Sequence, residues 1–253
     1  MLKTFTFLIV LYGLACLLLY IKQRSILYYP TPENTHSDAE TLWLKTPQAK
    51  LKIRVLNKQD SVPRKPAIVY FGGNAEAVEL NIAEYKKMFK NFTVYLVNYR
   101  GYGGSSGKPT EAGLFADALA IYDQLTAQHS SISVIGRSLG SGVACYLAAN
   151  RKISKLVLTT PYDSISHVAQ SHYPIFPVKW ILKDQFDSIR YAPSISSQIL
   201  VLYAEHDKVI PMVHTKNLLT HLPAANSHMI KGTAHNDIST SLEYQKLLVD
   251  FFN

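Results

Sequence analysis

The chain has 253 residues, 47% apolar and 17% charged, with 26 Lys and Arg against 18 Asp and Glu for a formal net charge of +8. That length suits one large domain, the 11% aromatic content excludes a disordered chain, and two cysteines exclude a disulfide framework or a thiolate metal site. No block recurs at a fixed period, which excludes a solenoid, and the basic residues are scattered, without the clustered patch that nucleic-acid binding requires. The positive balance fits an anionic membrane surface better.

The first element is a membrane anchor. Phe5 to Ile21 is a run of seventeen uncharged residues between Lys3 and Lys22-Gln23-Arg24. A spanning helix needs about 20 apolar residues, with a lower limit near 17, and a snorkelling Lys22 extends this one. A cleaved signal peptide needs a small-residue site after the apolar core, and here the core runs straight into Lys22. Gly13-Leu14-Ala15-Cys16 lacks the aliphatic residue that opens a lipoprotein cleavage site, and the apolar run continues past Cys16. Residues 1–24 are therefore expected to form a retained single-pass anchor. The basic residues tie on its two sides, so the positive-inside count sets no orientation.

Residues 25–253 alternate strand and helix. Leu42–Leu44 and Leu51–Leu56 form an expected strand pair at a sheet edge. Buried strands follow at Ile68–Phe71, Val94–Asn98, Ser133–Gly136, Leu156–Thr159, Ile199–Tyr203 and Ser227–Ile230, most of them near-continuous apolar runs. Phe115, Ala118, Leu119, Tyr122 and Leu125 recur at helical spacing behind Thr110 as N-cap, and Tyr244, Leu247, Leu248, Phe251 and Phe252 give the last helix its apolar side. This alternation predicts the α/β class, a mostly parallel sheet with helices on both faces. Residues 164–193, rich in proline and aromatics, are too long for a plain connection and are expected to form a small cap insert over the C-terminal edge of the sheet.

Gly136-Arg137-Ser138-Leu139-Gly140 has the Gly-x-Ser-x-Gly pattern directly after a strand and before a small-residue helix. The chemistry needs that spacing: a sharp turn holds the serine hydroxyl out, and the glycines let strand and helix approach. A serine needs a base and an acid to orient it, and the chain order expected for such a turn is serine, acid, histidine. Asp207 and His235 follow strands and so lie at the same sheet edge as Ser138. Asp163 and Glu205 are rival acids. Among other histidines, His206 and His214 come too early for that order, and His221 and His228 fall in a helix and a strand. Phe71-Gly72-Gly73-Asn74 closes a strand, and the backbone N–H groups of Asn74 and Leu139 are the expected oxyanion donors. This loop lacks the Gly-x-Gly-x-x-Gly or Gly-Lys-Ser/Thr pattern of nucleotide sites, and no cluster has metal-ligand spacing, so no cofactor is expected.

Together FGGNAE, NYRGYGGSSG, GRSLGSG, YPIFPVKWILKDQFDS, EHDKVIP and GTAHND resemble the α/β-hydrolase superfamily. The resemblance is closest to a small membrane-anchored branch with bacterial serine-peptidase-like hydrolases and ABHD-type depalmitoylases. It covers about Gln23 to the C-terminus and implies Ser138 as nucleophile, Asp207 as acid, His235 as base and a minimal cap after Asp163. Many relatives carry His-Gly where this chain has Gly72-Gly73, which keeps the backbone donor but loses a polar side chain. The expected function is hydrolysis of a carboxylic ester or thioester substrate, with membrane lipid as the partner of the N-terminal helix. Tyr173, Phe176 and Trp180 are substrate-pocket candidates, with Phe186 in the same aromatic insert. The alternatives are a peptidase or amidase of the same fold, or an inactive membrane-tethered scaffold.

Overall fold

A computed structural model describes residues 1–34, 39–58, 64–222 and 224–253. Helix α1, Leu2–Leu27, carries the apolar run and continues past residue 24. Its last turn stays helical because its polar residues find partners. Arg24 makes two hydrogen bonds to Asp184 at 2.8 and 3.2 Å, and Gln23 donates to the carbonyl of Ile181. Strands β1 (Glu40–Lys45) and β2 (Lys50–Leu56) form the antiparallel edge pair, and β3 (Ala67–Phe71) opens the parallel part of the sheet. After α2 (Ile82–Met88) and β4 (Thr93–Val97) come α3 (Glu111–Leu125), β5 (Ile132–Arg137), α4 (Leu139–Asn150) and β6 (Lys155–Thr159). The insert holds three short helices, α5 (Ile165–His172), α6 (Val178–Ile181) and α7 (Ser188–Tyr191). The chain ends with β7 (Gln198–Ala204), α8 (Met212–Leu219), β8 (Asn226–Ile230) and α9 (Leu242–Phe252).

Among the described residues the eight strands form one sheet in the order β1-β2-β4-β3-β5-β6-β7-β8, parallel from β4 to β8. Successive strand residues point to opposite faces, and both faces here are covered. Val69, Phe71, Val134, Leu156 and Leu158 face a core closed by α3 and α4, while Ile68, Tyr70, Ile135 and Val157 face one closed by α2 and α9. Each such fully buried side chain stabilises the fold by about 1.5–3 kcal/mol, which is why these strands read as continuous apolar runs. Thr110 caps α3 as its sequence position predicts, accepting from the Gly113 N–H at 3.0 Å. The edge strand β8 is mostly exposed, and its weaker apolar pattern follows from that position.

The strand order carries the consequence for chemistry. Ser138, Asp163, Asp207 and His235 all follow the C-terminal ends of parallel strands, so they gather along one edge of the sheet, where open α/β sheets bind ligands.

Candidate active site

Ser138 stands between β5 and α4 with φ +50° and ψ −118°. This left-handed backbone conformation costs about 1–3 kcal/mol for a residue with a side chain. The flanking glycines explain how the turn is reached. A Cβ on Gly136 would lie 2.5 Å from the Gly140 carbonyl oxygen, and one on Gly140 would run into that of Phe71. The serine N–H donates to the Thr159 carbonyl at 2.9 Å, and both the N–H and the hydroxyl of Ser141 donate back to the Ser138 carbonyl.

His235 Nε2 lies 2.9 Å from Ser138 Oγ, and His235 Nδ1 lies 2.7 Å from Asp207 Oδ2. Both members of the His–Asp pair are buried, at 8% and 4% side-chain exposure. The carboxylate contact requires the proton on Nδ1, which leaves the Nε2 lone pair facing the serine hydroxyl. Asp207 is fixed by its own turn: its Oδ1 accepts from the N–H groups of Val209 and Ile210 at 2.9 and 2.7 Å. This arrangement can withdraw a proton from Ser138 and stabilise the imidazolium that forms.

The Gly72-Gly73-Asn74 loop passes Ser138 closely, with the Cβ position of Gly73 3.5 Å from the serine Cβ. Leu139 opens α4, so its N–H has no intrahelical partner. Side chains whose motifs did not reveal this task hold the loop. Glu76 Oε2 accepts from the Gly73 N–H at 2.6 Å and from Arg137 Nη1 at 2.9 Å, while its Oε1 accepts from the Tyr70 hydroxyl and Asn81 Nδ2. Arg137 also donates to the carbonyls of His235 and Asn236 at 3.3 and 3.4 Å. Burial opposes the Arg137 charge, but the neighbouring Glu76 carboxylate outweighs this and holds its pKa above the ordinary guanidinium value. One ion pair thus braces the glycine loop, the serine turn and the histidine loop. Tyr99 and Tyr102, from NYRGYGGSSG, donate to the Gly72 carbonyl and to Asn74 Oδ1 at 2.8 Å each.

The Asn74 side chain has a structural task besides. Its Nδ2 donates to the Leu27 carbonyl at 2.6 Å and its Oδ1 accepts from the Tyr29 N–H at 3.0 Å, tying the end of α1 to the glycine loop. Asn74→Ala is expected to lower stability by about 1–3 kcal/mol in urea unfolding, because the Leu27 carbonyl loses this donor. Turnover should fall less than tenfold, since the backbone N–H remains. A loss of turnover near that of removing Ser138 would put the side chain in the reaction itself.

Asp163, the rival acid, is engaged elsewhere. Its Oδ1 meets His214 Nδ1 at 3.1 Å, and its Oδ2 meets His167 Nδ1 at 3.0 Å and Asn217 Nδ2 at 2.8 Å. Ser171 Oγ lies 2.9 Å from His214 Nε2, completing a second Ser–His–Asp chain beside a cavity of about 570 Å³. Ser171 sits in the last turn of α5, where the backbone N–H groups bond to carbonyls four residues back instead of facing its hydroxyl. The cluster clamps α5 onto α8. Burial by itself would raise the Asp163 pKa, but hydrogen bonds from Asn217, the Ser164 N–H and His167 hold it below the usual carboxylate value. A lowered folded-state pKa means that this stabilisation is complete above the unfolded value, about 3.9, and is lost as pH falls through the folded one. The stability gap between the wild type and Asp163→Asn should therefore be largest at neutral pH and shrink below about pH 4. A gap independent of pH in denaturant titrations would contradict this role.

Of the insert aromatics, Tyr173 and Trp180 are 55% and 88% exposed, and Phe176 stacks on Tyr12 of α1 with ring centroids 6.0 Å apart. Phe186 is buried in the core below. Glu205 accepts from the Gly232 N–H at 2.8 Å, bracing the loop before His235.

A family model of the alpha/beta hydrolase fold matches residues 66–181. An uncharacterized protein of Mycobacterium tuberculosis is 34% identical over 181 residues, 68% of this chain and 63% of its own length. The chain thus spans under two thirds of that relative. Lysophosphatidylserine lipase ABHD12 of Xenopus tropicalis is 31% identical over 225 residues, covering 74% of this chain and 57% of the lipase. Among solved structures, Est1E of Butyrivibrio proteoclasticus, bound to ferulic acid, superposes with a TM-score of 0.68 at 14% identity, over 83% of this chain and 99% of Est1E.

Proposed function

We propose, on the family-model match over residues 66–181 and the similarity to an ABHD-type lipase, that the chain is a membrane-anchored serine hydrolase of the α/β-hydrolase superfamily. Its substrate is a carboxylic ester or thioester, on a lipid-linked acyl group. The observation that carries the reading is the continuous contact from Asp207 through His235 to Ser138, at 2.7 and 2.9 Å. His235 takes the Ser138 proton as Oγ attacks the carbonyl carbon, and Asp207 stabilises the imidazolium. The backbone N–H groups of Asn74 and Leu139 receive the oxyanion. The tetrahedral intermediate collapses, His235 returns the proton to the leaving oxygen or sulfur, and water activated by the same histidine releases the acyl group from Ser138.

Helix α1 supports the membrane half of the reading. It is 26 residues long with a mean hydropathy of 2.3 over its best window, and nearly all its apolar side chains are exposed. Similarity to a lysophosphatidylserine lipase supports a lipid-linked acyl substrate. The test is hydrolysis of p-nitrophenyl esters and acyl thioesters, from acetyl to palmitoyl, by the full chain in detergent micelles. Rates that rise with acyl length support the reading. Activity on short esters alone would replace it with a soluble substrate, and no activity on any would favour the scaffold alternative.

A further inference from the structure

The contacts between α1 and the cap insert fix how deep the insert sits. Near the start of the insert's middle stretch, the Tyr12 hydroxyl donates to the Ile175 carbonyl at 2.7 Å and its ring stacks on Phe176. Farther along, Gln23 bonds to the Ile181 carbonyl and the Lys183 N–H, Lys183 Nζ lies 4.1 Å from the Tyr20 ring centroid, and Arg24 pairs with Asp184. The insert therefore runs beside α1 in the same direction, and the two share one polar boundary, at Lys22 and Arg24 on the helix and Lys183 and Asp184 on the insert. Tyr12 lies eleven residues before Gln23, about 16 Å along a helix axis, which is roughly one leaflet of hydrocarbon.

We propose that residues 173–181 form a wedge seated in the bilayer beside α1, with the Ile175–Phe176 tip in the hydrocarbon and Trp180 at the headgroup boundary. This rests on the reading of α1 as a membrane anchor. Two observations carry it independently of the depth argument. The wedge displays Ile175 at 72% and Trp180 at 88% exposure, an apolar surface continuous with that of α1. Much of its backbone is also hydrogen-bonded, which lowers the cost of placing a loop in lipid. Pro174 and Pro177 have no N–H to satisfy. Gln170 Nε2 reaches the carbonyls of Tyr173, Pro174 and Phe176 at 3.4, 3.3 and 3.0 Å, and Gln170 Oε1 accepts from the Val178 N–H at 3.1 Å. In this placement the exposed Lys179 side chain is long enough to carry its ammonium to the headgroups.

The wedge also connects to the site. Helix α5 leads into it and ends at His172, whose Nε2 lies 3.0 Å from the Val209 carbonyl, in the loop that holds Asp207. Lipid seating thus sets the position of the cap relative to the serine, and the exposed aromatics of the insert contact leaflet lipid rather than a soluble substrate.

The test uses the full chain in phosphatidylcholine vesicles carrying bromines at acyl carbons 6,7 or 11,12. Trp43→Phe with Trp180→Phe removes both native tryptophans, and Ile175→Trp or Leu17→Trp then reports on the wedge or the anchor. Both reporters are expected to lose at least about half their fluorescence in brominated vesicles. Trp180, alone in the Trp43→Phe chain, should be quenched more by the 6,7 than by the 11,12 lipid. Quenching at position 17 without quenching at 175 overturns the wedge and leaves the anchor standing. No quenching at either position overturns both. Quenching at 175 alone also overturns it, because the depth is set by the helix.

Discussion

Ser138→Ala is expected to lower kcat for ester hydrolysis by about 10⁴- to 10⁶-fold while the fold is retained. In the proposed mechanism Oγ is the atom that bonds to the acyl group, so no neighbouring side chain replaces it; Ser141, the nearest hydroxyl in sequence, points back to the Ser138 carbonyl at 2.7 Å. Stability should change little. Among the described residues the serine side chain bonds to His235, and the turn is held by backbone contacts that alanine keeps. Far-UV circular dichroism of the variant should therefore match the wild type. A variant that turns over within tenfold of the wild type would remove Ser138 from the reaction.

The second large effect separates two of the three carboxylates that the sequence leaves in competition. Asp207→Asn keeps an oxygen for the Val209 and Ile210 N–H groups, so its turn survives, but presents an amide N–H₂ to His235 Nδ1. That forces the proton onto Nε2, where it faces Ser138, and the imidazole no longer acts as a base. A loss of about 10⁴-fold in kcat is expected, by the reasoning for a triad aspartate changed to asparagine. Asp163→Asn should leave kcat within a few-fold and act on stability, because Asp163 binds His167, His214 and Asn217 instead. The reverse ranking in steady-state kinetics would transfer the acid role to Asp163.

Much of this architecture is legible in the sequence for one reason: strands buried on both faces must be apolar throughout. β3, β5, β6 and β7 are each locatable from their runs; the ends of β5 and β7 carry the serine and the acid, and that of β8 brings the histidine to the same edge. The Glu76–Arg137 brace was not legible, although both residues sit inside recognisable motifs, because they are 61 positions apart and only the packed sheet brings them together. The tasks of Tyr99, Tyr102 and the Asn74 side chain were hidden for the same reason. Helix α1 continues past the expected anchor, residues 1–24, because Gln23 and Arg24 find partners in the insert, which composition does not encode. Exposure of Tyr173 and Trp180 depends on how the insert lies against α1, which periodicity does not encode.

The most direct measurement of the central claim is reaction of the full chain with a fluorophosphonate, read by intact mass and peptide mapping. One adduct per chain, on Ser138 and lost in both Ser138→Ala and His235→Ala, is the predicted result. No adduct, or an adduct on another residue that persists in Ser138→Ala, would contradict it.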